Sequence, residues 1–237
     1  MSETYTWFIT GCSRGLGLEL ARQLATSKSP FNFVVATCRN PDTATKLKAI
    51  TPTEGNSLHI IPLDVSNEKQ IWQAAKEAEQ VLDGRALDYL VNNAGIYEAD
   101  DIFNFSPEGW MKTFTSNVLG PALITRALLH LVEKSKRKVI VNVSSGVGSI
   151  ALDYGAKYAS YSPTKTALNM VTYKQSVTRP DLIFLTMCPG HVRTDMGGEH
   201  GEIDAWESMS GLIKVATNAT HEHSGRFWRY NGLELPW

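Results

Sequence analysis

The chain alternates short runs of apolar residues with longer segments in which apolar residues recur every three or four positions. The short runs are typical of buried strands, whereas the three-to-four spacing is typical of one face of a helix. The predicted strands are residues 5–10, 33–38, 58–63, 87–91, 139–143, 182–188 and 226–230. A predicted helix joins each strand to the next, and right-handed crossovers of this kind give a parallel sheet. The pattern therefore predicts one α/β domain over residues 1–237.

Capping residues mark where several of these helices begin. Ser66 suits the N-cap of the helix before the fourth strand. Ser106 followed by Pro107 opens a long helix that runs through Leu131. A short helix is predicted over residues 41–50 and a last one over residues 205–217.

Composition narrows the function classes. Hydrophobic residues make up 43% and charged residues 20% of the 237 residues, as in soluble globular proteins. With 23 basic and 24 acidic residues and no long basic run, no nucleic-acid partner is predicted. No apolar stretch reaches the roughly 18 residues of a membrane span, and no secretory peptide is recognised, so a cytoplasmic location is expected.

Cysteine and histidine positions do not form a metal site. Cys12, Cys38 and Cys188 are odd in number and widely spaced, which fits neither a disulfide framework nor a zinc site. His221 and His223 alternate with an acid in a polar stretch that offers no third ligand nearby. We predict no metal.

A glycine-rich turn follows the first strand and opens a helix. Its pattern, T-G-x-x-x-G-x-G, runs from Thr10 to Gly17. Glycines permit a tight turn and let backbone N–H groups approach a phosphate, toward which the helix directs its positive end. A plain glycine-rich connection is the alternative. The predicted cofactor contacts in this turn are Gly11, Ser13, Arg14, Gly15, Leu16 and Gly17.

The second strand ends at Arg39 rather than at an acid. In dinucleotide-binding folds an acid at this position binds the ribose hydroxyls, whereas an arginine accommodates a 2′-phosphate. Arg39 and Arg14 together are predicted to bind that phosphate, which favours NADP over NAD. A solvated strand end is the alternative interpretation of Arg39.

Tyr161 and Lys165 lie four residues apart at the start of a predicted helix capped by Ser160. Residues at this spacing share a helix face. A unit charge about 4 Å away is worth roughly 4 kcal/mol at an effective dielectric near 20, or about three pKa units for the phenol. The pair therefore predicts a lowered Tyr161 pKa and a tyrosine that exchanges a proton. Taken alone, the spacing is also that of an ordinary helix surface.

Five motifs in order carry a family resemblance: Gly11 to Gly17, Asp64, Asn92 to Gly95, Asn117 with Ser145, and Tyr161 with Lys165. Together they resemble the short-chain dehydrogenase/reductase family. The Leu-Pro-Trp ending further resembles carbonyl reductases related to the bacterial C-factor protein. The resemblance implies a Rossmann fold, a doubly wound parallel sheet of about seven strands in the order 3-2-1-4-5-6-7 with helices on both faces.

The resemblance also implies the remaining cofactor contacts. Asp64 is expected to hydrogen-bond the adenine amine, and Val65 to pack against the adenine ring. The segment after the fourth strand lines the cofactor cleft, and the loop after the sixth strand lies near the nicotinamide carboxamide. The residues expected in these two segments are Asn92, Ala94, Gly95, Pro189, Gly190, Val192 and Thr194. A substrate loop is expected near residues 193–205.

The implied chemistry is hydride transfer from NADPH to a ketone or aldehyde, or the reverse from an alcohol. Ser145 would hydrogen-bond the substrate carbonyl and Tyr161 would deliver the proton. Lys165 would lower the Tyr161 pKa and bind the nicotinamide ribose. Asn117 would hold a water beside that lysine. The pocket residues Ile96, Tyr97, Val147, Tyr154 and Met196 suggest a partly apolar substrate.

One spacing conflicts with this assignment. In the family the catalytic serine commonly precedes the tyrosine by 13 residues, which from Ser145 selects Tyr158. Tyr158 has Ser162 four positions later, whereas Tyr161 has Lys165. We therefore choose Tyr161 and infer a short insertion within residues 150–157.

Two other functions stay open. An NADP-binding signalling or sensor protein of the C-factor type would bind cofactor with incidental turnover. An epimerase or dehydratase would use the same Tyr161 and Lys165 pair without net cofactor consumption. Apolar surfaces on the two long helices would suit a homodimer or homotetramer.

Overall fold

The computed structural model describes residues 4–156 and 158–237 and contains one eight-stranded sheet. The strand order is β3-β2-β1-β4-β5-β6-β7-β8, and every neighbouring pair is parallel except β7 with β8. The strands β1 to β8 are Thr4–Ile9, Phe31–Cys38, Ser57–Pro62, Tyr89–Asn92, Val139–Val143, Ile183–Cys188, Arg226–Arg229 and Glu234–Leu235. The predicted Rossmann-like order of the first seven strands is confirmed.

Seven α-helices cover both faces of the sheet within the described ranges. Helices α1 to α7 are Gly15–Ala25, Thr45–Lys48, Glu68–Leu82, Pro107–Phe114, Gly120–Val132, Tyr161–Thr178 and Ala205–Thr217. A π-helical turn, Thr115–Leu119, separates α4 from α5. None of the helices in the described part of the chain is both long and apolar enough to span a bilayer.

The eighth strand is an addition to the prediction. Asn231 and Gly232 reverse the chain after β7, with Gly232 at φ +86°, and the next residues pair antiparallel with β7. Leu235 lies opposite Phe227. A two-residue strand is too short to show an alternating pattern, which is why the sequence did not predict it.

Some helix boundaries differ from the prediction. The helix predicted over residues 41–50 is reduced to the four residues of α2. Asn67, not Ser66, caps α3, because the Ser66 hydroxyl instead donates to Asp64 Oδ1 at 2.6 Å. Ser160 does precede α6 as predicted, but its side chain makes no capping hydrogen bond.

The hydrophobic core has two layers because successive strand residues point to opposite faces. Trp7 of β1 faces α1 and α7 and stacks on Tyr89 of β4, with ring centroids 4.0 Å apart. Phe8 faces the other layer, where Leu90 packs with residues of α3 and α5. Burial on both faces fixes the sheet, and parallel pairing brings the carboxyl ends of β1 to β7 to one edge.

Candidate active site

The glycine turn between β1 and α1 packs directly against the segment that follows β4. Gly11 has φ +75°, and a Cβ there would lie 2.9 Å from the Ala94 Cα. A Cβ at Gly17 would collide with the Gly11 carbonyl. The Asn93 side chain donates to the Thr10 carbonyl at 2.8 Å, and the Ala94 N–H donates to Thr10 Oγ1 at 2.9 Å. Side chains are thus excluded where the turn lies closest to the sheet edge.

A cationic cavity lies beside this turn. It has a volume of about 380 Å³ and is lined by Ser13, Arg14, Arg39, Asn40 and residues 43–46. Arg14 and Arg39, which the sequence linked to one phosphate, line this same cavity, and Lys46 adds a third cation without any carboxylate in the lining. The cavity can therefore hold an anionic group.

Asp64 and Val65 follow β3 at the same edge. Asp64 Oδ1 accepts hydrogen bonds from the Ser66 N–H at 2.9 Å and the Ser66 hydroxyl at 2.6 Å. The Val65 carbonyl lies against Gly120, where a Cβ would be 2.6 Å from the oxygen. This turn therefore shapes the third strand end and keeps α5 close to it.

Asn92 joins three elements behind the site. Its buried side chain donates to Asn142 Oδ1 at 2.8 Å and to Thr125 Oγ1 at 3.1 Å. These bonds connect the ends of β4 and β5 with α5. Gly95 comes next to the catalytic candidates, since a Cβ there would lie 3.3 Å from Asn117 Oδ1 and 3.6 Å from Lys165 Nζ.

Asn117, in the π-helical turn, hydrogen-bonds the backbone of Ile96 through its side chain. Asn117 is fully buried, and its Oδ1 accepts from the Ile96 N–H while its Nδ2 donates to the Ile96 carbonyl, both at 2.9 Å. Nδ2 also donates to Thr164 Oγ1 at 3.1 Å. Asn117 thereby fixes the loop after β4 against α6.

Ser145, Tyr161 and Lys165 come together at the ends of β5 and α6. Ser145 lies close enough to the Tyr161 phenol to influence its pKa. Lys165 is 3% exposed, and its Nζ donates to the Val143 carbonyl at 2.9 Å. The same Nζ lies 5.4 Å from the Tyr161 ring centroid. The arrangement therefore places a buried ammonium beside the ring of a phenol that has a serine as its neighbour.

Burial is the largest influence on the pKa values of Tyr161 and Lys165. It raises the pKa of Tyr161, and the nearby Cys188 thiol adds to that rise while the Ser145 hydrogen bond opposes it. Burial lowers the pKa of Lys165 to about 8, partly offset by Cys188. The expected fall in the Tyr161 pKa is therefore wrong for this arrangement, because desolvation of the buried phenol outweighs any help from the nearby ammonium.

Tyr158, the rival candidate, lies at the same site. Its ring centroid is 6.5 Å from that of Tyr161 and 5.5 Å from that of Tyr97. Turns occur at residues 151–152 and 155–156, within the segment in which the insertion was inferred; Lys157 lies outside the described residues. Within the described residues, only Tyr161 has both the serine and the lysine beside it.

The loop after β6 reaches back to the glycine turn. A Cβ at Gly15 would lie 3.9 Å from Thr194 Cγ2, and Arg14 Nη1 is 3.4 Å from Asp195 Oδ2. Val192 is buried and forms a β-bridge with Ile203. Pro189 and Gly190 begin this loop, with Gly190 at φ +84°. The loop after β6 thus lies against the glycine turn.

Other contacts at the site have no sequence signal. The Val143 carbonyl binds Lys165 as a backbone group, and Cys188 affects the active site only because β6 lies beside β5. The last residues bind the loop after Ser145, since the Pro236 carbonyl accepts from Ser149 Oγ at 2.7 Å and the Trp237 carbonyl from Ala151 N at 3.1 Å. Partners so distant in sequence are visible only in the fold.

The described residues contain no cluster suited to a metal ion, and neither His221 nor His223 belongs to one.

Comparisons with known proteins agree with this geometry. A family model described as short chain dehydrogenase matches residues 6–204. An uncharacterized oxidoreductase of Schizosaccharomyces pombe is 33% identical over 97% of both chains, and the C-signal protein of Myxococcus xanthus is 34% identical over 64% of this chain and 93% of its own. The NADPH-bound carbonyl reductase from chicken fatty liver is 32% identical and covers 99% of this chain and 100% of its own, with a TM-score of 0.93. The chain therefore belongs to the short-chain dehydrogenase family and has the fold of the carbonyl reductases that it resembles.

Proposed function

We propose that the protein is an NADPH-dependent oxidoreductase that reduces a ketone or aldehyde and, in reverse, oxidises the alcohol. The observation that carries the proposal is that the Tyr161 phenol lies beside both Ser145 and the buried Lys165, whose Nζ is 5.4 Å from the Tyr161 ring centroid. This group lies at the sheet edge that also holds the glycine turn. Proton transfer and dinucleotide binding are therefore supported at one place.

The residues present fit a nicotinamide dinucleotide phosphate. Gly11 and Gly17 admit no side chain, because the turn packs tightly against Ala94 and against itself, and a tight glycine turn of this kind suits a pyrophosphate. Arg14 and Arg39 share a cavity free of carboxylates in its lining, as a 2′-phosphate requires. When bound, the cofactor supplies or accepts the hydride. The proposed contacts at the nicotinamide end are Pro189, Gly190, Val192 and Thr194.

The catalytic side chains act on the carbonyl oxygen. Ser145 donates a hydrogen bond to that oxygen and polarises the carbonyl. Tyr161 delivers its proton as alkoxide character develops, and its raised pKa keeps it protonated, and thus ready to donate, at neutral pH. Lys165, with a pKa of about 8, is charged at neutral pH and stabilises the tyrosinate that forms.

Asn117 has a positioning role in this proposal. Its amide is occupied by the Ile96 backbone and by Thr164, and its Oδ1 and Lys165 Nζ both lie against Gly95. A water between the Asn117 oxygen and the ammonium would link Lys165 to solvent and return the proton. Small-molecule carbonyl compounds and alcohols are the proposed partners.

Assembly and location are proposals of the same kind. Met170, Tyr173 and Val177 are exposed apolar residues along α6, which suits a homodimer or homotetramer. We also propose that residues 1–237 form a single domain and that residues 193–205 form its substrate loop. The proposed location of the protein is the cytoplasm.

A sensor function is the second candidate, because the C-signal protein is 34% identical to this chain. The test is NADPH oxidation with a panel of ketones, aldehydes and quinones, alongside direct measurement of NADPH binding. The enzyme proposal expects oxidation of NADPH with equal formation of alcohol or hydroquinone. Tight binding of NADPH without oxidation by any member would favour the sensor. Product formed without cofactor consumption would favour an epimerase or dehydratase.

A further inference from the structure

Three tyrosine rings meet beside Ser145. The Tyr161 ring centroid lies 5.9 Å from that of Tyr97 and 6.5 Å from that of Tyr158, with interplanar angles of 87° and 72°. Tyr97 and Tyr158 also contact each other, 5.5 Å apart at 73°. These are edge-to-face arrangements within the range that aromatic pairs favour. Two rings that take no part in the proton transfer thus surround the proton donor.

Tyr97 has a fixed position. The preceding residue, Ile96, is held through both its N–H and its carbonyl by the buried side chain of Asn117. The Tyr97 side chain is nevertheless 37% exposed. Its ring is therefore placed at the mouth of the site without being part of the hydrophobic core.

Tyr158 is held in an unfavourable backbone conformation. Its φ is +66°, a left-handed conformation that residues with a Cβ rarely adopt. Two hydrogen bonds maintain the segment: the Tyr158 carbonyl accepts from the Ser162 N–H at 2.9 Å, and the Ser160 N–H donates to Asp100 Oδ1 at 3.1 Å. Strain of this kind persists at ligand sites, where the surrounding structure enforces it.

Core packing does not account for this strain, because Tyr158 is also 37% exposed. Proton donation does not account for it either, since Ser162 rather than a lysine follows one turn later. The Asp100 bond joins the loop that carries Tyr97 to the segment that carries Tyr158. Both rings are thereby fixed relative to the Tyr161 phenol.

We propose that Tyr97 and Tyr158 form an aromatic wall of the substrate pocket and favour carbonyl compounds with an aromatic ring on the carbonyl carbon. The inference rests on the proposed function. The substrate oxygen must come within about 3 Å of the Tyr161 hydroxyl to receive its proton. A ring attached to the carbonyl carbon then lies beside Tyr161 and against the two neighbouring rings.

Further exposed apolar residues lie on the loops that follow the strands at this sheet edge. Ile102 and Phe103 lie on the loop after β4, and Phe103 is 96% exposed. Met196, half-exposed, lies on the loop after β6.

The test compares matched aromatic and saturated compounds. The first measurement is kcat/KM for benzaldehyde and for cyclohexanecarbaldehyde with NADPH. The second is the Kd, by NMR titration with NADPH present, of benzamide and cyclohexanecarboxamide, which resist reduction. The variants are Tyr158→Leu, which removes the ring, and Tyr158→Phe, which keeps it. The control is Tyr173→Leu, on α6 about 18 Å along the helix axis from Tyr161; thermal unfolding checks each fold.

We expect Tyr158→Leu to reduce the preference for the aromatic partner by about 2- to 12-fold in both measurements. Tyr158→Phe and Tyr173→Leu should keep the wild-type preference. The proposal is contradicted if Tyr158→Leu keeps the wild-type preference for the aromatic compound. It is also contradicted if Tyr158→Phe loses as much of that preference as Tyr158→Leu does. If no carbonyl is reduced but the benzamide preference falls only in Tyr158→Leu, the wall stands and the proposed reaction fails.

Discussion

Lys165 is a cation in surroundings that disfavour charge. It is almost fully buried, with the Val143 carbonyl as the acceptor for its Nζ, and burial lowers its pKa to about 8 from 10.5. Between these two values the unfolded chain binds more protons at this lysine than the folded chain does. The free energy of unfolding therefore rises with pH through this window, while below it the cost of burying the charge is present in full.

We predict a corresponding pH dependence of stability. Relative to Lys165→Met, the wild type should gain about 2 kcal/mol of unfolding free energy between about pH 7 and about pH 9.5. Denaturant titrations of both proteins across this range measure the difference, and groups common to the two cancel. The range stops below the ordinary pKa of Tyr161, whose raised pKa acts in the opposite direction at higher pH. A difference that stays flat or falls with pH would contradict the burial of a lysine with this pKa.

The sequence predicted the proximity of Tyr161 and Lys165 but not the direction of the Tyr161 pKa. Four-residue spacing fixes two side chains on one helix face. It does not say that β5 supplies a carbonyl to bind the lysine or that β6 brings Cys188 close. Those contacts depend on the order of strands in space, so the electrostatics of the pair could not be read from its spacing.

At the scale of elements, the structure differs from the prediction most clearly at the π-helical turn Thr115–Leu119. One continuous helix was predicted from Ser106 through Leu131, and the structure divides it into α4, the turn and α5. An extra residue within a helical turn rotates the side chains that follow. Asn117 lies in this turn, and its side chain is fully buried. Apolar spacing carries no signal for such a turn, whereas the capping role of Ser106 was predictable from its Ser-Pro sequence and is confirmed.

We predict that Asn117 stabilises the fold by more than a single hydrogen bond. Asn117→Ala leaves both Ile96 backbone groups without their partner and should lower the unfolding free energy by about 2–4 kcal/mol. Thr164→Val is the matched control, because it removes one partner of Asn117 but leaves the Ile96 contacts, and should cost about 1 kcal/mol. Urea unfolding of both variants measures the two losses. Equal losses would show that the Ile96 contacts contribute little.

At the scale of the whole molecule, parallel pairing explains why so much of the site was predictable. Apart from Asn117, Tyr161 and Lys165, which lie on helical segments, the motifs follow strands, and in a parallel sheet the carboxyl ends of the strands share one edge. The motifs after β1, β2, β4, β5 and β6 therefore meet even though they are far apart in sequence. The contacts that close the site against the chain's last residues, such as Ser149 with Pro236, follow no such rule.

The central claim is that Tyr161, and not Tyr158, delivers the proton to the carbonyl oxygen. The most direct measurement is kcat for NADPH-dependent reduction of one carbonyl substrate by Tyr161→Phe and Tyr158→Phe, with the Kd for NADPH measured for both. We predict that Tyr161→Phe lowers kcat by at least about 100-fold while still binding NADPH. Tyr158→Phe, which keeps its ring, should lose far less activity. A larger loss of kcat in Tyr158→Phe than in Tyr161→Phe would contradict the assignment.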